Sequence, residues 1–213
     1  MAQIKIDKIA PVFLEKEKIH QSEVWNKEII WNKGEKIQIV ASSGSGKTSL
    51  VHFLYGMRKD YSGNIFFNNE PVKNWNPEQI AAYRSNNISI VFQDLRLFTE
   101  HTVLENITIK RALKPFEENN ITAMAERLGI VSKLQQQAGI CSYGERQRIA
   151  IIRALQQPFD FLVLDEPFSH LDENNSKKAL ALIEEEAEKR GAGIILADLE
   201  PVTFYKAGKT IHL

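Results

Sequence analysis

The chain has 213 residues, with 27 Lys and Arg balanced by 27 Asp and Glu, so broad attraction to nucleic acid or anionic lipid is not expected. Hydrophobic and charged fractions of 43% and 25% are those of an ordinary globular protein, and the length suits one sizeable α/β domain rather than two. The lone Cys141 excludes an internal disulfide framework, and the longest apolar runs, 149–152 and 193–197, fall far short of the roughly 20 residues that cross a bilayer. A cytosolic protein is expected.

The first third reads as mostly β. Gln3–Ile9 alternates apolar and polar residues like a strand and lacks the continuous apolar core of a secretion signal. Ile37–Val40 reads as a second strand and runs into Ala41-Ser42-Ser43-Gly44-Ser45-Gly46-Lys47-Thr48, which precedes a helix-like Leu50–Leu54. That arrangement is what a triphosphate needs. Small residues let the backbone curl its N–H groups inward, and the following helix turns its positive end to the same anion. Lys47 is expected to reach the β- and γ-phosphates and the Thr48 hydroxyl to hold Mg²⁺. Ala41 replaces the glycine that usually opens this eight-residue pattern, which requires a negative φ there.

Gly63–Phe67 reads as a strand leading into a turn at 68–71, and Asn76-Pro77-Glu78 as a helix start with proline in the first turn. Ile88–Phe92 is a β-branched run expected to form a buried strand. Phe92-Gln93-Asp94 follows, where the sheet gives way to helices; a glutamine at such a junction can touch a metal and its water. Helical spacing is expected over Val103–Leu113, Thr122–Leu128 and Ile149–Leu155. Ahead of the last, Ser142 and Glu145 have capping-box spacing, which alone explains both residues. The functional alternative makes Ser142 and that helix N-terminus a second anion site, usable if two chains face head to tail.

Phe161–Leu164 is a short apolar strand ending in two acids. Ligands bind at that edge of an open α/β sheet, which offers Asp165 for the Mg²⁺ shell and Glu166 to polarise an attacking water. Asn175–Arg190 reads as a helix stopped by Gly191, and Ile194–Leu196 as another buried strand. Strands and helices alternating in this way favour a mainly parallel sheet with covered faces, with the helical middle as an insertion.

The order of these segments resembles the nucleotide-binding subunit of ATP-binding cassette (ABC) transporters over essentially the whole chain. Ala41–Thr48 resembles the Walker A loop, Phe92-Gln93 the Q-loop, Ser142-Tyr143-Gly144-Glu145 the signature, Leu162–Glu166 Walker B, and Ser169-His170-Leu171-Asp172 the D-loop. The resemblance implies an α/β fold, a RecA-like P-loop NTPase core over 1–92 and 155–213, with an antiparallel β-subdomain near the N-terminus. A helical signature subdomain is implied over 93–154. It implies ATP bound by Ala41, Ser42, Ser43, Gly44, Ser45, Gly46, Lys47, Thr48 and Ser49, with Ser142 and Gly144 supplied by a partner cassette in a head-to-tail dimer. Thr48, Gln93 and Asp165 are implied around Mg²⁺, and Glu166 and Gln93 in catalysis. A membrane-spanning permease is the implied partner, with Leu95, Leu97 and Phe98 as contacts or, equally, as core. The chain is then cytoplasmic and peripheral on the inner face of the cell membrane, with no nucleic acid expected.

Beyond Ala41, three departures qualify the resemblance. Tyr143 replaces the first of two adjacent signature glycines, and Glu145 replaces a glutamine. No histidine follows the last core strand: Ala197 or, with a one-residue shift, Asp198 stands in its place. Slow hydrolysis is therefore expected. A degenerate or regulatory cassette and a non-transport ATP-gated clamp are the alternatives. For the adenine-stacking aromatic the candidates are Phe13, Trp25 and Trp31. The 92–106 stretch resembles that of subunits serving lipoprotein-release and macrolide-type permeases.

Overall fold

The computed structural model describes residues 1–111 and 121–213. In chain order the elements are β1 (Gln3–Pro11), α1 (Lys16–Gln21), β2 (Glu28–Asn32), β3 (Lys36–Val40), α2 (Lys47–Leu54), β4 (Tyr61–Phe67), β5 (Glu70–Pro71) and α3 (Pro77–Asn86). There follow β6 (Ile88–Val91), α4 (Val103–Arg111), α5 (Ile121–Arg127), α6 (Tyr143–Ala154), β7 (Phe161–Asp165), α7 (Glu173–Lys189), β8 (Gly193–Asp198) and β9 (Lys209–His212).

Two sheets result. The antiparallel one has the order β2-β1-β4-β5, and the other is parallel throughout with the order β6-β7-β8-β3-β9. Side chains of β7 and β8 alternate between two cores, as the two-residue period of a strand requires. Phe161, Val163, Ile195 and Ala197 pack toward the antiparallel sheet, together with Trp25, Trp31 and α2. Leu162, Leu164, Ile194 and Leu196 pack toward α4–α7. Both faces of the parallel sheet are thus covered, which is why its strands read as continuous apolar runs.

The helix starts follow their caps. Asn76 accepts from Gln79 N at 2.8 Å while Gln79 Oε1 accepts from Asn76 N at 3.0 Å, a complete capping box with Pro77 at the first position. Ser142 Oγ accepts from Glu145 N at 3.2 Å and the Glu145 carboxylate accepts from Ser142 N at 2.7 Å, so α6 is capped in the same way.

Several boundaries move. The first strand runs on to Pro11, Ile88–Val91 stops before Phe92, and the 149–155 helix begins at Tyr143 and ends at Ala154. Of the expected Val103–Leu113 helix, residues 103–111 are helical and 112–113 lie outside the described residues. Of the three residues expected as permease contacts or, equally, as core, Leu95 is core at 4% exposure, Leu97 packs partly buried against the same cluster, and Phe98 is half exposed.

Candidate nucleotide site

The parallel strands deliver their carboxyl ends to one edge. Val40 of β3 pairs with Asp198 of β8, and Asp165 of β7 pairs with Ala197 of β8, so the loop after β3 and the two acids at the end of β7 flank β8 at the same height. The loop stays open there. Ser45 N bonds back to Ser42 O at 3.1 Å, and Gly46, with φ +97, precedes α2 without any side-chain cap. A Cβ at residue 46 would stand 2.9 Å from the Trp25 ring, so glycine is required on both counts. Trp25 in turn donates its indole N–H to Ser45 O at 3.0 Å, which fixes the loop from below.

The result is a cleft of about 310 Å³ lined by Ser42, Ser43, Gly44, Gly46, Lys47, Thr48 and Ser49, with Phe13, Gln93 and Glu166 around it. An uncapped helix N-terminus over such a cleft has the backbone donors a phosphate chain needs. Ser45 does not line the cleft; its hydroxyl is buried, with no hydrogen-bond partner among the described residues. Ala41 does not border it. It is fully buried, its φ is not positive, and its N–H bonds to Asp198 O at 2.9 Å, so alanine costs nothing where the pattern usually has glycine.

Lys47 is 7% exposed and pairs with two acids at once, Asp165 at 2.5 Å and Glu166 at 2.7 Å. Burial pulls the Lys47 ammonium down, but the hydrogen bonds and charges of Asp165 and Glu166 outweigh it and hold the lysine above its ordinary value. Thr48 Oγ1 lies 3.5 Å from Gln93 Oε1, and both also border an adjoining cavity of about 350 Å³ with Asp165 and Tyr143. Thr48, Gln93 and Asp165 therefore converge on one volume. They are oxygen donors that suit a hard divalent cation sharing its shell with phosphate and water. Among the described residues no group of three or more His, Cys, Asp or Glu could hold a metal unaided.

At the histidine position the structure separates the two candidates. Ala197 is fully buried in the core, whereas Asp198 is partly exposed at the strand end. Burial raises the Asp198 carboxyl above its ordinary value; the Leu199 N–H opposes this, and the Glu166 charge adds to it. Asp198 does not line the nucleotide cleft; it borders a neighbouring cavity with Phe168, Ser169 and Glu200, within range of the Glu166 and Lys47 charges. Of the aromatics, Trp25 and Trp31 are fully buried and unable to meet a base, while Phe13 is 54% exposed at the cleft with the Arg58 guanidinium 5.0 Å from its ring.

Ser142 and Gly144 do not border the main cleft. In this chain the Ser142 hydroxyl is engaged in the α6 capping box, and Tyr143 donates its phenol O–H to Gln93 O at 3.3 Å. The start of α6 therefore touches the 93 junction directly. Gln147, absent from the sequence expectations, is buried here and bonds to Glu166 and His170.

A family model described as ABC transporter matches residues 26–169. The chain belongs to the ABC transporter family, as an ATP-binding subunit. Among similar curated proteins, the lipoprotein-releasing system ATP-binding protein LolD of Geobacter metallireducens is 31% identical over 185 residues, 85% of this chain and 82% of that one. Its counterpart from Legionella pneumophila strain Lens is 35% identical over 77% of this chain and 74% of its own length. Among solved structures, the dimeric bacterial ABC transporter cassette MJ0796 matches with a TM-score of 0.85 at 20% identity, covering 99% of this chain and 94% of the other. A bacterial Atm1-family ABC exporter with ATP bound matches with a TM-score of 0.79 at 21% identity, over 99% of this chain and 36% of that one. These likenesses fix the fold as the P-loop α/β cassette. No helix among the described residues is long and apolar enough to cross a membrane.

Proposed function

We propose that this cassette binds and hydrolyses ATP with Mg²⁺ to power a membrane permease, two cassettes closing head to tail around the nucleotide. The observation that carries the reading is the convergence of Lys47, Asp165 and Glu166 under the uncapped start of α2. In this reading the loop 42–49 wraps the phosphates and Phe13 stacks on the adenine, backed by Arg58. Lys47 leaves the two acids for the β- and γ-phosphate oxygens. Thr48, Gln93 and Asp165 would hold Mg²⁺, which would offset phosphate charge there. Glu166, released from Lys47, accepts a hydrogen bond from the attacking water and draws off its proton. Ser142 and the Gly144 backbone serve the partner's nucleotide rather than their own. Closure then reaches the permease through the 93–98 segment and the exposed Phe98. Relatives named for lipoprotein release support a permease of that type. The assembly is peripheral on the inner face of the membrane.

The second reading is a regulatory cassette that barely hydrolyses. Asp198 favours it, since an acid beside Glu166 opposes the γ-phosphate where the family has a histidine. Steady-state ATP hydrolysis by the purified chain decides, with Lys47→Ala and Glu166→Gln as controls. Turnover lost in both variants supports the motor. Nucleotide binding through Lys47 without turnover, alone and with a permease, supports the regulatory reading.

A further inference from the structure

Glu166 has an unusual backbone. Its φ of +47 lies in the left-handed region, which side-chain-bearing residues rarely adopt and which costs energy unless the surroundings impose it. Here they do. The Glu166 N–H donates to Ala197 O at 2.9 Å, while its carbonyl accepts from Gln147 Nε2 at 2.9 Å and from Ser169 Oγ at 3.2 Å. The other end of the same amide also has a partner: Gln147 Oε1 accepts from His170 N at 3.1 Å. Gln147 is 1% exposed, so both bonds are made away from water, where a lost partner is costly.

The helix is brought close enough for this by its neighbours. Tyr143, four residues earlier and so on the same face, sets its ring 4.0 Å from the His170 ring. Between them Gly144 has no side chain; a Cβ there would stand 2.9 Å from His170 O. One face of α6, through 143, 144 and 147, therefore grips the turn 166–170.

We infer that Gln147 is a positioning residue for hydrolysis, clamping the left-handed backbone of Glu166 so that its carboxylate points into the nucleotide cleft. The inference rests on the proposed role of Glu166. Without the amide only Ala197 and Ser169 hold that backbone, and relaxation toward an ordinary negative φ swings the carboxylate away from the cleft. Because Gln147 lies on the helix whose first turn serves a partner's nucleotide, the clamp also ties that turn to the attack geometry in its own chain.

The test is steady-state ATPase kinetics on the full chain, with Gln147→Met and Gln147→Glu, alongside melting curves and titration with fluorescent ADP. For Gln147→Met, kcat is expected to fall at least tenfold, with KM for ATP and affinity for ADP within twofold. Gln147→Glu keeps the acceptor for His170 N but, when ionised, has no proton to donate to the Glu166 carbonyl. Its carboxyl regains a donor on protonation, so its kcat relative to the parent is expected to rise as the pH falls from 8 to 6. An unchanged kcat in Gln147→Met overturns the inference. So does a loss shared by kcat, KM and melting temperature with a flat pH ratio in Gln147→Glu, which marks a packing residue. A parent chain with no more turnover than Glu166→Gln overturns the proposed hydrolysis and this inference together, whereas a turning-over parent with indifferent Gln147 variants overturns this inference alone.

Discussion

Asp198 and Lys110 each place a charge where burial opposes it. Asp198 stands at the end of β8, within reach of the Glu166 and Lys47 charges, and burial already lifts its carboxyl above the ordinary value. Removing that charge favours an incoming γ-phosphate. Asp198→Asn is expected to tighten ATP binding by about 1 kcal/mol, a few-fold in Kd, read by nucleotide titration. Asp198→His supplies a donor as well and is expected to raise kcat; an unchanged turnover assigns the slow step elsewhere. Lys110 on α4 has its ammonium buried with no hydrogen-bond partner among the described residues. Burial first, then the charges of Arg153 and Arg84, lower it from 10.5 to about 8. The folded value lies below the unfolded one, so the unfolded chain binds the extra proton between these limits and stability rises with pH across about 8 to 10.5. Below pH 8 the destabilisation is at its full extent. Lys110→Met is therefore expected to be more stable at pH 7, by at most about 3 kcal/mol, with the advantage gone near pH 10.5. Urea midpoints of both chains at pH 7 and pH 10.5 check it. Both residues show how far reading single positions goes. That no histidine follows Leu196 is plain in the sequence, but that Ala197 is buried in the core while Asp198 stands partly exposed at the strand end depends on strand register. Gln147 carried no signal at all, because a glutamine between charged residues at 145–148 gives no hint that it is buried.

At the scale of elements, α6 is the most demanding. Its capping box is legible as Ser142 and Glu145 at the right spacing, and the structure forms it. Its approach to the 166–170 turn is not legible, since it depends on the space left by one absent side chain. Gly144→Ala is expected to push the helix start from His170 O and lower the melting temperature, by about 1–3 kcal/mol of stability, with part of the ATPase lost. The same substitution with full stability and activity would show that the turn yields freely. Elsewhere, strands that are buried on both faces were plain from their apolar runs, and α3 from its asparagine and proline. The elements that escaped are those without such a pattern. α1 has no buried residue, and β9 buries Ile211 alone, so neither carries a hydrophobic period to read. β2 does alternate, with Ile29 and Trp31 inward, but its five residues border a turn at Gly34 and merge with the polar stretch around them.

For the molecule as a whole, the two cores share the strands of one sheet, β7 and β8 presenting alternate residues to each. The helices α4 to α7 are thus not a separate folding unit, and unfolding is expected to be a single transition. Ser142 and Gly144 do not line the nucleotide cleft of their own chain, as the proposed head-to-tail closure requires. Glu166→Gln, which retains the shape of the site without its base, is expected to accumulate as a dimer in ATP and to return to monomer in ADP. Sedimentation velocity reads this directly, and a variant monomeric in both nucleotides would count against head-to-tail closure.

The double pairing of Lys47 has a consequence for how the cleft fills. Its ammonium is the counter-ion of two buried carboxylates, so in the proposed function a nucleotide reaching Lys47 displaces an existing partner. If Lys47 turns to the phosphates as proposed, Asp165 and Glu166 are left side by side out of water with their neutralising charge gone, an arrangement that folded proteins avoid. Nucleotide uptake is in this sense an ion exchange. A triphosphate arriving without a divalent ion leaves that exchange one cation short, and its grip on the loop is weaker by whatever the two stranded acids cost.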